Sequence, residues 1–321
     1  MPGPNALTGA EIDRVVDNRR RDTTWMAAQR RDPRARAVVL GNAGVRTRDD
    51  AVELVPLRDV VEDDQDASGL LLLGLDGHGP VYLLDEDPPV PGQRPALVGA
   101  GGMRGEPAPE AQGRVGVRLA AQTLSQADGG LVAYAAALLN WHRSHRHCGV
   151  CGAATTPGNG GTIRFCPACG SEHHPRTDPV VIMLVTDEPR DRVLLGRQSA
   201  WPPRRFSTLA GFVSPGEGLD EAVKREVLEE VGVRVGTPVY QSSQPWPFPS
   251  SLMLGFHVPY LDGDIAGEDD ELEDARWFTR DEVATAARGD DSWDDPPHGE
   301  GLLLPPRSAI ARRLVDDWLD G

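Results

Sequence analysis

Glu226, Glu229 and Glu230 stand at i, i+3 and i+4 of one stretch, a spacing that gathers side chains on one side of a helix within a single turn. At about 100° per residue, Glu226 and Glu230 share the arc of Leu219, Ala222 and Val223, at the edge of the stripe that must face the core. A solvated run of acids would lie opposite that stripe. Charges on its edge face a desolvation cost of several kcal/mol each unless paired or bound to cations. Three oxygen-rich side chains in one place are the ligand set preferred by Mg²⁺ or Mn²⁺, so the chemistry they suit is that of a bound divalent ion.

The four cysteines form a second constellation. Cys148 and Cys151 make one Cys-Xaa-Xaa-Cys unit and Cys166 and Cys169 another, each followed by glycine, with residues 152–165 between them. Disulfides would suit an extracellular chain, and redox catalysis a single such unit. Two units in a chain without export features point to structural Zn²⁺, because four thiolates leave no open position for chemistry. His145, His147, His173 and His174 flank the site, but the cysteines suffice. The chain has no Gly-Xaa-Ser-Xaa-Gly elbow and no P-loop lysine pattern, so acyl transfer and P-loop chemistry have no support.

To share one side the glutamates need a helix, and Leu219 to Val231 supplies it between Gly218 and Gly232. The apolar run Val180 to Val185 reads as a buried strand, with a turn at Asp187-Glu188-Pro189-Arg190-Asp191 and a returning strand over Arg192 to Gln198. Strands near Val239 to Ser243 and Leu252 to Tyr260, then an amphipathic helix from Ser308 to Leu319, complete an α+β domain. Upstream, Arg36 to Leu40, Leu70 to Leu75 and Val81 to Leu84 predict a small strand-rich domain. Between the two, Arg118 to Arg146 predicts two helical pieces broken at Asp128-Gly129-Gly130. No internal sequence repeat is evident.

With 321 residues the chain has room for two domains, and 39% hydrophobic with 26% charged residues is a globular composition. No apolar run approaches the ~20 residues of a membrane span, and the first residues lack the features of an export signal, so the cytoplasm is the expected location. The net charge of -16 argues against a non-specific nucleic-acid binder, and a phosphate substrate would need cations to mediate its approach. Much of that acidity lies around Glu62 to Asp66 and from Glu268 to Glu273.

Gly211, Glu217, Arg225-Glu226, Glu229-Glu230 and Gly232, with Val227 and Val233 as aliphatics, fill every fixed position of the Nudix box. Ser243-Gln244-Pro245-Trp246-Pro247-Phe248-Pro249 resembles the signature of the NADH pyrophosphatase (NudC) branch of the Nudix hydrolase superfamily, which also carries a four-cysteine zinc site before its catalytic domain. The resemblance implies a C-terminal Nudix α/β/α sandwich (176–321), a zinc ribbon (147–175), a helical connector (116–146) and a Nudix-like leader domain (1–115). It implies metal-dependent hydrolysis of the pyrophosphate bond of NAD(H) to NMN(H) and AMP, with removal of NAD caps from RNA, in a homodimer. Glu226, Glu229, Glu230 and Glu271 would hold Mg²⁺ or Mn²⁺, Glu229 or Glu230 would activate water, and Arg225 would orient Glu229 by a charge-assisted hydrogen bond. Substrate would meet Ala210, Phe212, Gln244, Pro245, Trp246, Pro247, Phe248, Pro249, Ser250, Ser251 and Ala311. It would also meet His174, which stands where some relatives have a tyrosine. Two alternatives remain at this point: a Nudix hydrolase of another dinucleotide or an ADP-sugar, and a non-catalytic zinc-ribbon binding protein.

Overall fold

The computed structural model describes residues 4–61, 69–90, 92–99, 113–266, 271–289 and 301–321. The acidic stretch Glu62 to Asp66 and positions 268–270 lie outside them. The chain forms two compact units, one of Leu7–Thr177 with Pro245–Ser250, the other of Met1–Ala6, Asp178–Gln244 and Ser251–Gly321.

The first unit begins with α1 (Asp17–Arg21) and α2 (Thr23–Arg31), which the strand-rich reading of this region missed. No residue of α2 is fully buried, and only the adjacent Trp25 and Met26 pack against the core, too few to make a periodic stripe. Its signal was the cap: the Asp22 carboxylate accepts from the Thr24 and Trp25 amides at 2.9 and 3.0 Å. Next come β1 (Arg36–Gly41), β2 (Gly44–Arg48), β3 (Ala51–Val52), β4 (Leu54–Pro56), β5 (Leu70–Asp76), β6 (Gly79–Asp85) and β7 (Arg114–Val115). The three apolar runs expected as strands are β1, β5 and β6. β1 runs antiparallel to β2 and β4 and parallel to β6, with β5 beyond β6 and β7 on β2.

Helices α3 (Val117–Thr123) and α4 (Gln126–Ser144) follow, and α4 packs Val132, Ala135, Ala136, Leu139 and Trp141 into the core formed with β1, β5 and β6. The helical break therefore falls at Leu124-Ser125 rather than at Asp128-Gly129-Gly130. Ser125 decides it, its hydroxyl accepting from the Asp128 amide at 3.1 Å. Gly130 lies inside α4, where a β-carbon would press on the backbone of Thr8 and Ala10; its lack of a side chain allows a close approach and not a turn. The short strands β8 (Thr156–Gly158), β9 (Ile163–Phe165) and β10 (Glu172–His173) make a separate antiparallel sheet.

The second unit contains β11 (Asp178–Asp187), β12 (Arg192–Arg197), β13 (Leu209–Phe212), α5 (Leu219–Val231), β14 (Arg234–Val235), β15 (Val239–Trp246), β16 (Ser251–Asp262), β17 (Asp274–Thr279), α6 (Arg280–Ala287) and α7 (Ile310–Asp320). β11 sends Val181, Met183 and Val185 against Ala222, Val223, Val227 and Val231 of α5. It sends Ile182 and Leu184 to the other face, against Ile310, Leu314, Val315 and Trp318 of α7 and Val283 of α6. Burial on both faces is why this strand reads as an unbroken apolar run, and it makes the unit an α/β/α sandwich.

The strand pairings of the two units repeat. β11 is antiparallel to β12 and β13 and parallel to β16, as β1 is to β2, β4 and β6. β17 lies on β12 as β7 lies on β2, and β15 pairs with β16 as β5 does with β6. The repeat is one of topology, with no sequence pattern to reveal it. The units part after the third strand. Residues 213–238 carry the carboxylate helix, whereas between β4 and β5 the described residues hold only a single 3-10 turn, Leu57–Asp59.

Candidate active site

Helix α5 has the bounds its sequence predicts: Gly218 is the N-cap, and Gly232 closes the helix in the left-handed region at φ 72°. Ala222, Val223, Val227 and Val231 are buried, and Glu230 is buried beside them at 6% exposure. Glu226 is mostly covered, its side chain 13% exposed, while that of Glu229 is 53% exposed. Leu219 sits at the open end of the stripe and is exposed.

Arg225 organises this group. Its Nε and Nη2 donate to the two oxygens of Glu217 at 2.7 and 2.9 Å. Nη1 donates to Glu226 Oε1 at 2.8 Å and Glu229 Oε2 at 2.9 Å, and Nη2 also reaches the Phe212 carbonyl at 3.0 Å. A guanidinium has five N–H groups, and these five bonds use them all. Its main partner is thus Glu217, a box position absent from the expected site residues, and no donor remains for a substrate. Glu217 also accepts from the Ser214 amide at 3.0 Å, and the arginine beside it holds its carboxyl down at about 2. The clamp fastens the loop between β13 and α5 to the helix.

The carboxyl of Glu226 moves the other way. Burial raises it above the ordinary value, with Glu229 and Glu271 adding repulsion against the pull of Arg225. Gly211 on β13 makes room for it, since a β-carbon there would overlap the whole Glu226 carboxylate. Among the described residues only the four cysteines stand close enough together to form a ready metal cage, so the glutamates are grouped around Arg225 and not collapsed onto one point. Hard oxygen donors, one of them destabilised as an anion by burial and its neighbours, fit a divalent ion.

The other expected site residues have varied surroundings. Ala210 pairs with Ile182 next to Gly211, and Phe212 follows with its ring 61% exposed. Gln244 is wholly buried: its amide donates to the Ala6 and Ser308 carbonyls and accepts from the Ile310 amide at 2.9 Å. Its side chain is committed to the scaffold, and Ala311, 5% exposed, packs in the α7 core. Ser251 opens β16 opposite Asp178. Pro245 to Ser250, with Pro247 buried and Pro249 exposed, belong to the first unit. There Asn140 donates to the Pro247 carbonyl at 3.2 Å, and the rings of Trp246 and Phe248 meet edge to face at 5.0 Å. The guanidinium of Arg118 lies 4.1 Å from the Phe248 ring centre and 5.7 Å from that of Trp246, a contact that sequence reasoning missed because α3 gives no motif. His174 is exposed, just past β10.

The four thiol sulfurs lie within 4.8 Å of one another, with Cys148–Cys169 and Cys151–Cys166 each at 3.6 Å. A tetrahedral zinc with bonds of about 2.3 Å needs sulfur–sulfur edges near ~3.8 Å, so the cage fits the ion. Both knuckles close alike. The Gly152 amide donates to the Cys148 carbonyl and the Gly170 amide to that of Cys166, each at 2.9 Å, with both glycines at positive φ. His173, one residue before the histidine singled out from the sequence, contacts Cys148 Sγ through Nε2 at 3.2 Å.

Three family models match: a NUDIX domain over residues 176–297, an NADH pyrophosphatase zinc ribbon domain over 143–173, and an NADH pyrophosphatase-like rudimentary NUDIX domain over 23–141. The chain belongs to the NADH pyrophosphatase branch of the Nudix superfamily. The third match accounts for the repeated strand pairing, and the four cysteines are the zinc ribbon of this branch. A NAD-capped RNA hydrolase NudC of Mycobacterium bovis is 47% identical over 189 residues, 59% of this chain and 59% of the relative. Another from Stutzerimonas stutzeri is 43% identical over 59% of this chain and 61% of its own length. The match thus spans about three fifths of these curated relatives. Among solved structures, a NUDIX hydrolase from Nitrosomonas europaea is 27% identical with a TM-score of 0.36, covering 42% of this chain and 77% of that one.

Proposed function

We propose that this chain hydrolyses the pyrophosphate bond of NAD(H) to AMP and NMN(H), and by the same cut removes NAD caps from RNA. The observation that carries the reading is the Arg225 cluster, which fixes Glu217, Glu226 and Glu229 around one cation and sets the Glu226 carboxylate in the space left by Gly211. The names of the Mycobacterium and Stutzerimonas relatives support the dinucleotide as substrate.

Glu226, Glu229, Glu230 and Glu271 would hold Mg²⁺ or Mn²⁺, which when bound neutralises phosphoryl oxygens and acidifies water. Glu229 is the most exposed of the three helix carboxylates, and its Oε1 is the oxygen not engaged by Arg225, so it takes the proton from the attacking water. Arg225 is a positioning residue that holds Glu229 Oε2 and Glu226 Oε1 in place. The exposed ring of Phe212 stacks on a base or nicotinamide. Ala210, Gln244 to Ser251 and Ala311 would shape the dinucleotide site. Thiols grouped as metal ligands suit a reducing cytoplasm, and no helix among the described residues is long and apolar enough to cross a membrane. We take the chain to divide into domains at 1–115, 116–146, 147–175 and 176–321, and to act as a homodimer, which light scattering would check.

The test is product analysis by mass spectrometry after incubation with NADH and Mg²⁺ or Mn²⁺. AMP with reduced NMN is the expected pair. Intact NADH beside turnover of another dinucleotide or an ADP-sugar would overturn the substrate assignment, and no turnover of any of them would leave only a binding protein.

A further inference from the structure

The repeated topology sets the end of β4 in the first unit where the end of β13 stands in the second. Pro56 pairs with Arg36 at the start of β1, as Phe212 pairs with Val180 near the start of β11. In the second unit the chain then enters the loop and helix that carry the carboxylates. In the first it enters a 3-10 turn bearing Arg58, and beside it opens a cleft of about 430 Å³ lined by Arg34, Arg36, Arg58 and His78 over Pro33, Ala35 and Pro56, with no acid among the lining residues.

Three carboxylates outside the lining stand against these cations, Asp59 being the loosest, with Oδ1 3.7 Å from Arg58 Nε. Asp32 binds Arg34 Nε and Nη2 at 3.0 and 2.7 Å, and Asp76 holds Arg36 Nη2 while also accepting from the His78 and Gly79 amides. Arg36 Nε is buried and has no hydrogen-bond partner among the described residues. Arg34 and Arg58 remain 68% and 72% exposed, so most of their donors face water. Gly79 allows the β5–β6 turn to close on this spot, a β-carbon there sitting 3.0 Å from that of Arg34. The surrounding sequence has the same sign: residues 14–36 contain eight arginines against three acids, in a chain of net charge -16.

We infer that this cleft is a phosphate-binding site that takes the phosphodiester backbone of single-stranded RNA. It rests on the capped-RNA part of the proposed function. At the topological place where the second unit carries its carboxylate helix, the first unit presents guanidinium groups, which bind phosphodiesters without activating water. An acidic protein repels a polyanion as a whole, and a local arginine face is what lets one approach.

The experiment uses the full chain and an uncapped single-stranded RNA labelled at its 3′ end, with binding followed by fluorescence anisotropy across a salt series. Replacing both exposed arginines (Arg34→Ala with Arg58→Ala) should weaken binding at least about tenfold at low salt. It should also reduce the slope of log K against log salt by roughly 1.4, at ~0.7 per lost contact to single strands. NADH hydrolysis by the same variant should keep its kcat/KM. Unchanged affinity and slope would overturn the assignment. So would a wild-type chain that ignores RNA but binds inorganic phosphate or AMP in an arginine-dependent way, since the cleft would then serve small anions. Because binding is measured without turnover, an enzyme inactive on every dinucleotide would refute the catalytic reading alone.

Discussion

Replacing Gly211 by alanine tests whether the position of one carboxylate governs turnover. The residue is in strand β13 with an ordinary strand partner, Val181, so the backbone accepts alanine. The new methyl, however, would fall inside the van der Waals envelope of Cδ, Oε1 and Oε2 of Glu226 together. Restoring a normal carbon–carbon contact of about 3.5 Å moves that carboxylate by on the order of 1 Å. Reacting groups must be held within roughly 0.5 Å, and a displacement near 1 Å costs about 10²-fold, or about 2.7 kcal/mol of barrier. The variant should therefore retain its fold, with kcat for NADH about a hundredfold lower and weaker Mn²⁺ binding by calorimetry. Wild-type kcat and Mn²⁺ affinity in Gly211→Ala would show that the placement of Glu226 against β13 has no part in catalysis.

Glu229→Gln and Glu230→Gln should each keep the fold and slow turnover by at least about 10²-fold, because they remove charge beside the metal without changing size; a variant at normal rate takes its carboxylate out of the mechanism. A chelator strong enough for zinc should lower the melting temperature, whereas depleting Mg²⁺ or Mn²⁺ should abolish turnover and leave melting unchanged; protein purified without chelator that contains no zinc would sink the ribbon assignment. His142 supplies a pH prediction. Burial holds its imidazole down at about 4 from 6.5, with Nδ1 accepting from Arg164 at 2.9 Å and Nε2 donating to the Gly161 carbonyl at 2.8 Å. Above 6.5 both folded and unfolded forms are neutral; as pH falls toward 4 the unfolded chain takes up the proton first, so stability drops by on the order of 3 kcal/mol across that window. Urea melts of wild type and His142→Gln, which keeps both hydrogen bonds but cannot titrate, should diverge below pH ~6.5; parallel curves would refute it.

Legibility followed the source of each signal. Helix α5 was readable to the residue because two glycines bound it and its apolar face repeats at helical spacing, and β11 because burial on both faces left no polar interruption. Helix α2 was invisible because only Trp25 and Met26 of it pack against the core, and the α3–α4 break was misplaced because Gly130 serves close packing while a serine cap does the stopping. Within the site, box spacing located Glu226, Glu229 and Glu230, but spacing could not say which acid Arg225 would grip. That depended on the loop folding Glu217 back onto the helix, a contact between positions eight apart in the chain. Gln244 shows another contact that spacing could not reveal. A polar residue inside a signature string invites a substrate role, yet burial turns its amide into a tie between the chain start and α7.

The two units share five strand pairings, and only one carries the acids, which locates the proposed catalysis in an insertion and not in the shared sheet. In the second unit, residues 213–238 supply a loop that Glu217 can fold and a helix that Arg225 can anchor, so carboxylates stand near the end of β13 at the cost of their mutual repulsion. Burial together with that repulsion destabilises Glu226 as an anion, which suits the divalent ion proposed for this site. In the first unit the corresponding strand end meets a 3-10 turn too short to present several side chains to one point, and Arg58 and Arg34 stand beside it. Arginine cannot give up its proton at any working pH, so it offers neither a base nor a metal ligand. One scaffold thus yields two complementary electrostatic sites: an acidic one that must recruit cations to meet a phosphate, and a basic one that meets it directly.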